Sequence, residues 1–272
     1  MEFKEIKGIQ VPEIGFGTYT LGITPGTGRR SVKAIQYAIE CGLTHIDTAE
    51  RYARGYTEEL VGEGINDFER SKLFITTKVW VDNLRYDDVL SACRGSLQRM
   101  RTHYIDLYLI HWPNPDIPLA ETLSAMDKLV DEGLVRFIGV SNFDLVRLKE
   151  AETITRHGIF SNQVEYSLVK REPESELLPY CQENGILLTA YSPLGQDIIA
   201  NGSHAIIDRL ARKYQRTPVQ IALNYLTSRD NVIAIPKALQ HDHIKENSQA
   251  SGWRIEREDL DLLQRTSFSR PS

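Results

Sequence analysis

Four side chains able to carry a proton or a charge fall where apolar runs are ending. Asp47 and Tyr52 share the stretch HIDTAERY, Lys78 sits in FITTKVW (74–80), and His111 interrupts YLIHWP. A bare ammonium at the edge of a core is costly to desolvate, so Lys78 either reaches water or is held by a partner. Paired with Asp47 beside Tyr52, it would favour the phenolate. A phenol of pKa about 10 is a poor donor at neutral pH, and lowering it by two to three units takes about 3–4 kcal/mol of charge interaction. His111 would then hydrogen-bond a carbonyl oxygen and hold it in line. Taken singly, the same residues have plainer roles: Asp47 as a helix cap, His111 as a satisfied core histidine before a proline-forced turn, Lys78 snorkelling to solvent. Convergence in space decides between the readings, and that depends on the fold.

Short apolar strands alternate with amphipathic helices along nearly the whole chain. SVKAIQYAIE puts Val32, Ile35, Ala38 and Ile39 on one face, and YDDVLSACRGSLQRM does the same with Val89, Cys93, Leu97 and Met100. Gly42, Gly133, Gly158 and Gly185 each stand between a helical pattern and a strand, as helix-ending glycines do. Strand starts fall at about 13, 43, 73, 104, 135, 160, 186 and 231, mostly one strand-plus-helix unit apart. The pattern predicts a single domain over 1–272: a TIM-type parallel α/β barrel of eight strands and eight helices, an N-terminal β-hairpin turning at Gly8, and two extra helices. A doubly wound sheet would need a glycine fingerprint after its first strand. GFGTYTLG and TPGTGRRS do not supply one, since five residues separate Gly22 from Gly28 where a phosphate loop needs four, and Arg29 stands where its lysine belongs.

On a barrel, chemistry belongs at the C-terminal strand ends. Those ends carry Asp47 with Tyr52, Lys78, His111, Ser141 with Asn142, Gln163, Tyr191 and Lys237. Composition narrows the partners. The formal charge is -5 with lysines and arginines scattered, which argues against nucleic acid. Three distant cysteines in apolar helical patterns read as reduced thiols, and neither a leader nor a membrane span is expected. A cytoplasmic protein, without a metal site and monomeric or weakly self-associating, is the expectation.

GFGT, HIDTAERY, TTKVW, LIHWP, GVSNF, NQVEY, AYSPLG and IPKA…IKEN, in that order from about residue 3 to residue 266, closely resemble the aldo-keto reductases. The resemblance implies an NAD(P)H-dependent oxidoreductase with the catalytic tetrad Asp47, Tyr52, Lys78 and His111, Tyr52 being the general acid in reduction and the base in oxidation. It implies a nicotinamide stacked on Tyr191, its carboxamide held by Ser141, Asn142 and Gln163. Gly17, Thr18, Ser192, Leu194, Gly195, Ile235, Lys237, Ala238 and His243 match further cofactor positions, and Glu246 and Asn247 the adenine contacts.

Two departures stand out. His243 replaces a usual arginine and Ala238 a common serine, which weakens the grip on a 2′-phosphate; NADPH is expected, with NADH also accepted. The loop SPLGQDIIANGSH is short, so a reduced cofactor belt with faster release is expected. Tyr19, Trp80 and Trp112 are expected as pocket walls rather than core aromatics. A short tail, RTSFSRPS, suggests a permissive site for small aldehydes, 2-oxoaldehydes and activated ketones. The rival readings are a Schiff-base aldolase using Lys78, which leaves Tyr52 and Tyr191 without work, and a non-catalytic nucleotide-sensing barrel subunit.

Overall fold

The hairpin forms first along the chain, from β1 (Phe3–Ile6) and β2 (Ile9–Pro12), paired antiparallel. Its turn places Lys7 at φ 49° and Gly8 at φ 79°. Two successive left-handed residues match the twist of the flanking strands, and the glycine takes its share without steric cost. Ile6 and Val11 pack with Phe74, Leu107, Phe160, Leu187 and Ile233, so the hairpin plugs one end of the barrel. The computed structural model describes residues 1–268 apart from 197, 202 and 203.

Eight parallel strands follow: β3 (Phe16–Gly17), β4 (His45–Asp47), β5 (Phe74–Val79), β6 (Ile105–Ile110), β7 (Val135–Ser141), β8 (Ser161–Glu165), β9 (Leu187–Tyr191) and β10 (Val232–Ala234). Each pairs with the next in chain order. The ring closes where Ile14 bridges Ala234 in parallel. There the Gly15 N–H donates to Ala234 O at 2.8 Å and the Ala234 N–H to Glu13 O at 3.0 Å. The expected strand starts are met closely throughout.

Between strands run α1 (Gly28–Glu40), α2 (Tyr56–Ile65), α3 (Tyr86–Met100), α4 (Leu119–Asp131), α5 (Leu145–Ile154) and α6 (Leu177–Glu183). After β9 come α7 (Ile198–Asn201), α8 (Ala205–Tyr214) and α9 (Pro218–Thr227), and after β10 come α10 (His241–Ser248) and α11 (Arg257–Arg265). The single-turn α7 is an addition to the expected set; it lies in the segment read as a short belt, of which 197, 202 and 203 are outside the described residues. The apolar faces expected on α1 and α3 are buried. Gly42, Gly133 and Gly185 directly follow the C-caps of α1, α4 and α6 with positive φ, whereas α5 already ends at an extended Thr155 and Gly158, also at positive φ, belongs to the loop beyond it. No helix among the described residues is long and apolar enough to cross a membrane.

Strand alternation sorts the barrel interior into layers. Phe74, Leu107 and Leu187 form an apolar floor with the hairpin. Above it His45 Nε2 meets Thr76 Oγ1 at 2.9 Å and Ser161 Oγ meets Thr189 Oγ1 at 3.0 Å. Two residues further along β4 and β5 come Asp47 and Lys78. The chain thus reaches its charged layer only at the C-terminal rim.

Burial in the middle layer, opposed by Asp47, drops the His45 imidazole to about 4. The unfolded chain takes up a proton below about 6.5 that folded His45 refuses, so stability is lost as pH falls from 6.5 towards 4, by about 2 kcal/mol at pH 5. Urea unfolding at pH 7 and pH 5 checks this. The loss should shrink in His45→Gln, although Glu58, whose carboxyl burial raises, works in the opposite sense.

Candidate active site

Lys78 is fully buried, and its Nζ donates to Asp47 Oδ1 at 2.6 Å and to the Thr48 carbonyl at 2.8 Å. Gln163 Nε2 donates to the other carboxylate oxygen, Asp47 Oδ2, at 2.7 Å. The Thr18 hydroxyl donates to the Asp47 carbonyl at 2.9 Å, fixing the backbone that presents the carboxylate. Burial alone would pull the Lys78 ammonium down, but Asp47 and Tyr52 hold it above its ordinary value. The cation therefore does not snorkel. It is kept charged inside the barrel, with its Nζ 5.2 Å from the centre of the Tyr52 ring.

Tyr52 corrects one expectation. Its pKa lies above the usual phenol value, not below it: removal from water is the largest influence, and Lys78 pulls it down only in part. The neighbouring cation acts against a larger desolvation cost that residue order does not reveal. A phenol that holds its proton at pH 7 is in the form a donor needs, and Lys78 tempers the cost of giving that proton up. The ring is set by a tight turn in which Ala53 and Arg54 take φ 45° and 56°, both uncommon for residues with a Cβ. Glu50 braces this turn by accepting from the Trp80 N–H at 2.6 Å and from Asn83 Nδ2 at 3.0 Å.

His111 stands edge-on to both Tyr52 and Trp80, at 5.8 Å and 5.1 Å between ring centres. Burial, reinforced by the Lys78 charge, lowers its imidazole to about 3, so it is neutral at pH 7. Its buried Nδ1 has no hydrogen-bond partner. Asn142, at φ 62°, ties the rim together. Its Nδ2 donates to the His111 carbonyl and to Ser141 Oγ, each at 3.1 Å, and its Oδ1 accepts from the Tyr191 hydroxyl at 2.9 Å. Ser141 Oγ in turn donates to the Gln163 carbonyl at 2.9 Å.

These groups open onto a cavity of about 550 Å³. Of the residues expected from the sequence, Gly17, Tyr19, Asp47, Tyr52, Trp80, His111 and Trp112 line it. So do Ser141, Asn142, Gln163, Tyr191, Ser192, Ile235 and Lys237. Lys78 and Thr18 lie buried behind the wall, while Leu194, Gly195 and Ala238 are outside the lining. His243 and Glu246 line a separate surface groove on α10, and Asn247 is buried there. Ile23, Arg51, Ala53, Pro193 and Gln196 also line the cavity, although nothing in the sequence reading pointed to them. Arg51 adjoins Tyr52 in HIDTAERY, and that adjacency was the available signal.

Residues 13–267 match the pattern of the aldo/keto reductase family. The chain belongs to this family. Methylglyoxal reductase YeaE of Escherichia coli (strain K12) is 36% identical over 259 residues, covering 94% of this chain and 90% of that protein. A thermostable aldo-keto reductase solved with the inhibitor epalrestat superposes with a TM-score of 0.92 at 43% identity, over 97% of this chain and 98% of that one. An aldo/keto reductase from Klebsiella pneumoniae, solved with NADP and acetate, gives a TM-score of 0.90 at 36% identity, over 97% and 94% of the two chains. The barrel of this aldo/keto reductase is therefore that of its relatives over almost its whole length, and its polar rim lies on the face where the strands end.

Proposed function

We propose that this aldo/keto reductase acts as one catalytic domain and reduces aldehydes, 2-oxoaldehydes and activated ketones to alcohols with NADPH, Tyr52 giving the proton. The observation that carries the reading is the buried Lys78–Asp47 pair, which lies beneath a protonated phenol and beside a neutral imidazole on one cavity floor. Likeness to a methylglyoxal reductase favours 2-oxoaldehydes among the substrates. Free Cys41, Cys93 and Cys181 suit a reducing cytosol.

The donor set suits a dinucleotide. Tyr191 offers a half-buried ring, and Gln163 Oε1 has no partner among the described residues. Lys237 is exposed on the cavity wall without a carboxylate partner there. Tyr191, Ser141, Asn142 and Gln163 would hold the nicotinamide end, Lys237 with Ser192, Leu194, Gly195 and Ala238 the phosphates, and Glu246 and Asn247 the adenine. Bound there, NADPH supplies the hydride. The chain's own residues supply the rest. His111, lacking a partner at Nδ1, takes the tautomer whose Nε2–H points a hydrogen bond at the carbonyl oxygen. Tyr52 donates its proton to that oxygen as negative charge builds, and Lys78 stabilises the phenolate left behind. Tyr19, Trp80 and Trp112 would form the walls of the pocket around the carbonyl.

A Schiff-base role would need Lys78 as a neutral, reachable amine. Its charge and its complete burial speak against that, and borohydride should trap no substrate on it. A purely nucleotide-sensing role leaves the buried pair without a purpose. The basic test is oxidation of NADPH followed at 340 nm with methylglyoxal, and absence of turnover would sink the reading. With His243 in place of an arginine, the preference for NADPH over NADH in kcat/KM should stay below roughly a few hundredfold. A larger ratio contradicts this account of His243.

A further inference from the structure

Arg51 is an exposed guanidinium on the wall of the catalytic cavity. It lies over the Trp80 ring with its Cζ 5.2 Å from the centre, and makes no ion pair with a carboxylate among the described residues. Trp80 in turn meets His111 edge-on at 5.1 Å. One indole thus touches both the cation and the group placed beside the reacting carbonyl. The acids that share the adjoining groove with Arg51 are otherwise engaged or open to water: Glu50 accepts from the Trp80 backbone N–H and from Asn83 Nδ2, and Asp82 is exposed.

The charge balance of the cavity runs against that of the chain. The protein carries a formal charge of -5. Yet among the described residues lining the cavity Asp47 is the one carboxylate, and both its oxygens are taken by Lys78 and Gln163. Arg51 and Lys237 remain as cations with no ion-pair partner among the described residues. Lys237 has work in the cofactor reading; Arg51 has none. A guanidinium already resting over an indole has less freedom to lose when it meets a planar anion, and its fork matches a carboxylate bidentately.

We propose that Arg51 is a specificity residue that selects carbonyl substrates carrying a carboxylate at the end remote from the carbonyl. This rests on the reductase reading and narrows its substrate class. Steady-state kinetics with NADPH on 4-carboxybenzaldehyde and on 4-carbamoylbenzaldehyde, equal in shape and differing in charge, test it. The wild type should favour the carboxylate in kcat/KM by about five- to tenfold, chiefly through KM, as a single charged hydrogen-bonding pair at a partly exposed site would give. Added salt should erode that ratio. Arg51→Gln should bring it close to one, and Arg51→Lys should restore part of it. A wild-type ratio near one, or a ratio that survives in Arg51→Gln, overturns the proposal while leaving the reductase reading intact. If the wild type reduces neither compound nor methylglyoxal, the reductase reading itself fails and the proposal falls with it.

Discussion

Tyr52→Phe lowers carbonyl reduction by about 1,000-fold while NADPH binding changes little, because the substitution deletes one hydroxyl and keeps the ring that packs against Tyr19 and His111. A loss of that size is what a positioned general acid contributes, whereas loss of a packing group would act on stability first. Stopped-flow single turnovers separate hydride transfer from cofactor release, and fluorescence titration reports NADPH binding. Activity near that of wild type would mean that another group gives the proton. A matching loss in NADPH affinity would mean that Tyr52 acts through the cofactor site.

Lys78→Met has the second large effect, and it falls on two properties at once. Removing the ammonium leaves Asp47 buried with Gln163 as its remaining side-chain donor, and breaking such a pair costs about 3–5 kcal/mol. Reduction should fall at least a hundredfold as well, because the phenolate loses its nearest cation. Lys78→Met combined with Asp47→Asn separates the two. The double variant removes the stranded charge while keeping an acceptor for Gln163, so most of the stability returns on urea unfolding. Activity does not return. Recovery of both together would reduce Lys78 to a structural role.

Much of this was readable in the residues. Alternating strands and helices with glycine stops place a polar residue at nearly every strand end, and strand order then brings Asp47, Lys78 and Gln163 into contact although they are far apart in sequence. What the sequence conceals is how deeply each group is buried. The Tyr52 phenol is pushed up by desolvation despite its cation, and the His45 and His111 imidazoles are driven down for the same reason. Arg51 escaped notice because nothing in a run of residues tells that a side chain beside Tyr52 lies over Trp80 and finds no carboxylate. His243 and Glu246 fall in a groove of their own because α10 carries them away from the cavity that Lys237 still lines.

The proposed reduction rests on Tyr52 exchanging a proton with substrate oxygen, its acidity set by burial against the Lys78 charge. The pH dependence of alcohol oxidation with NADP⁺ tests it most directly, since that direction needs the phenolate. With a pKa above the usual phenol value, the phenolate fraction grows about tenfold per pH unit across pH 7 to 9. The single-turnover rate in wild type should rise with that slope, and the slope should vanish from the residual activity of Tyr52→Phe. A flat wild-type profile, or an unchanged slope in the variant, would contradict the account.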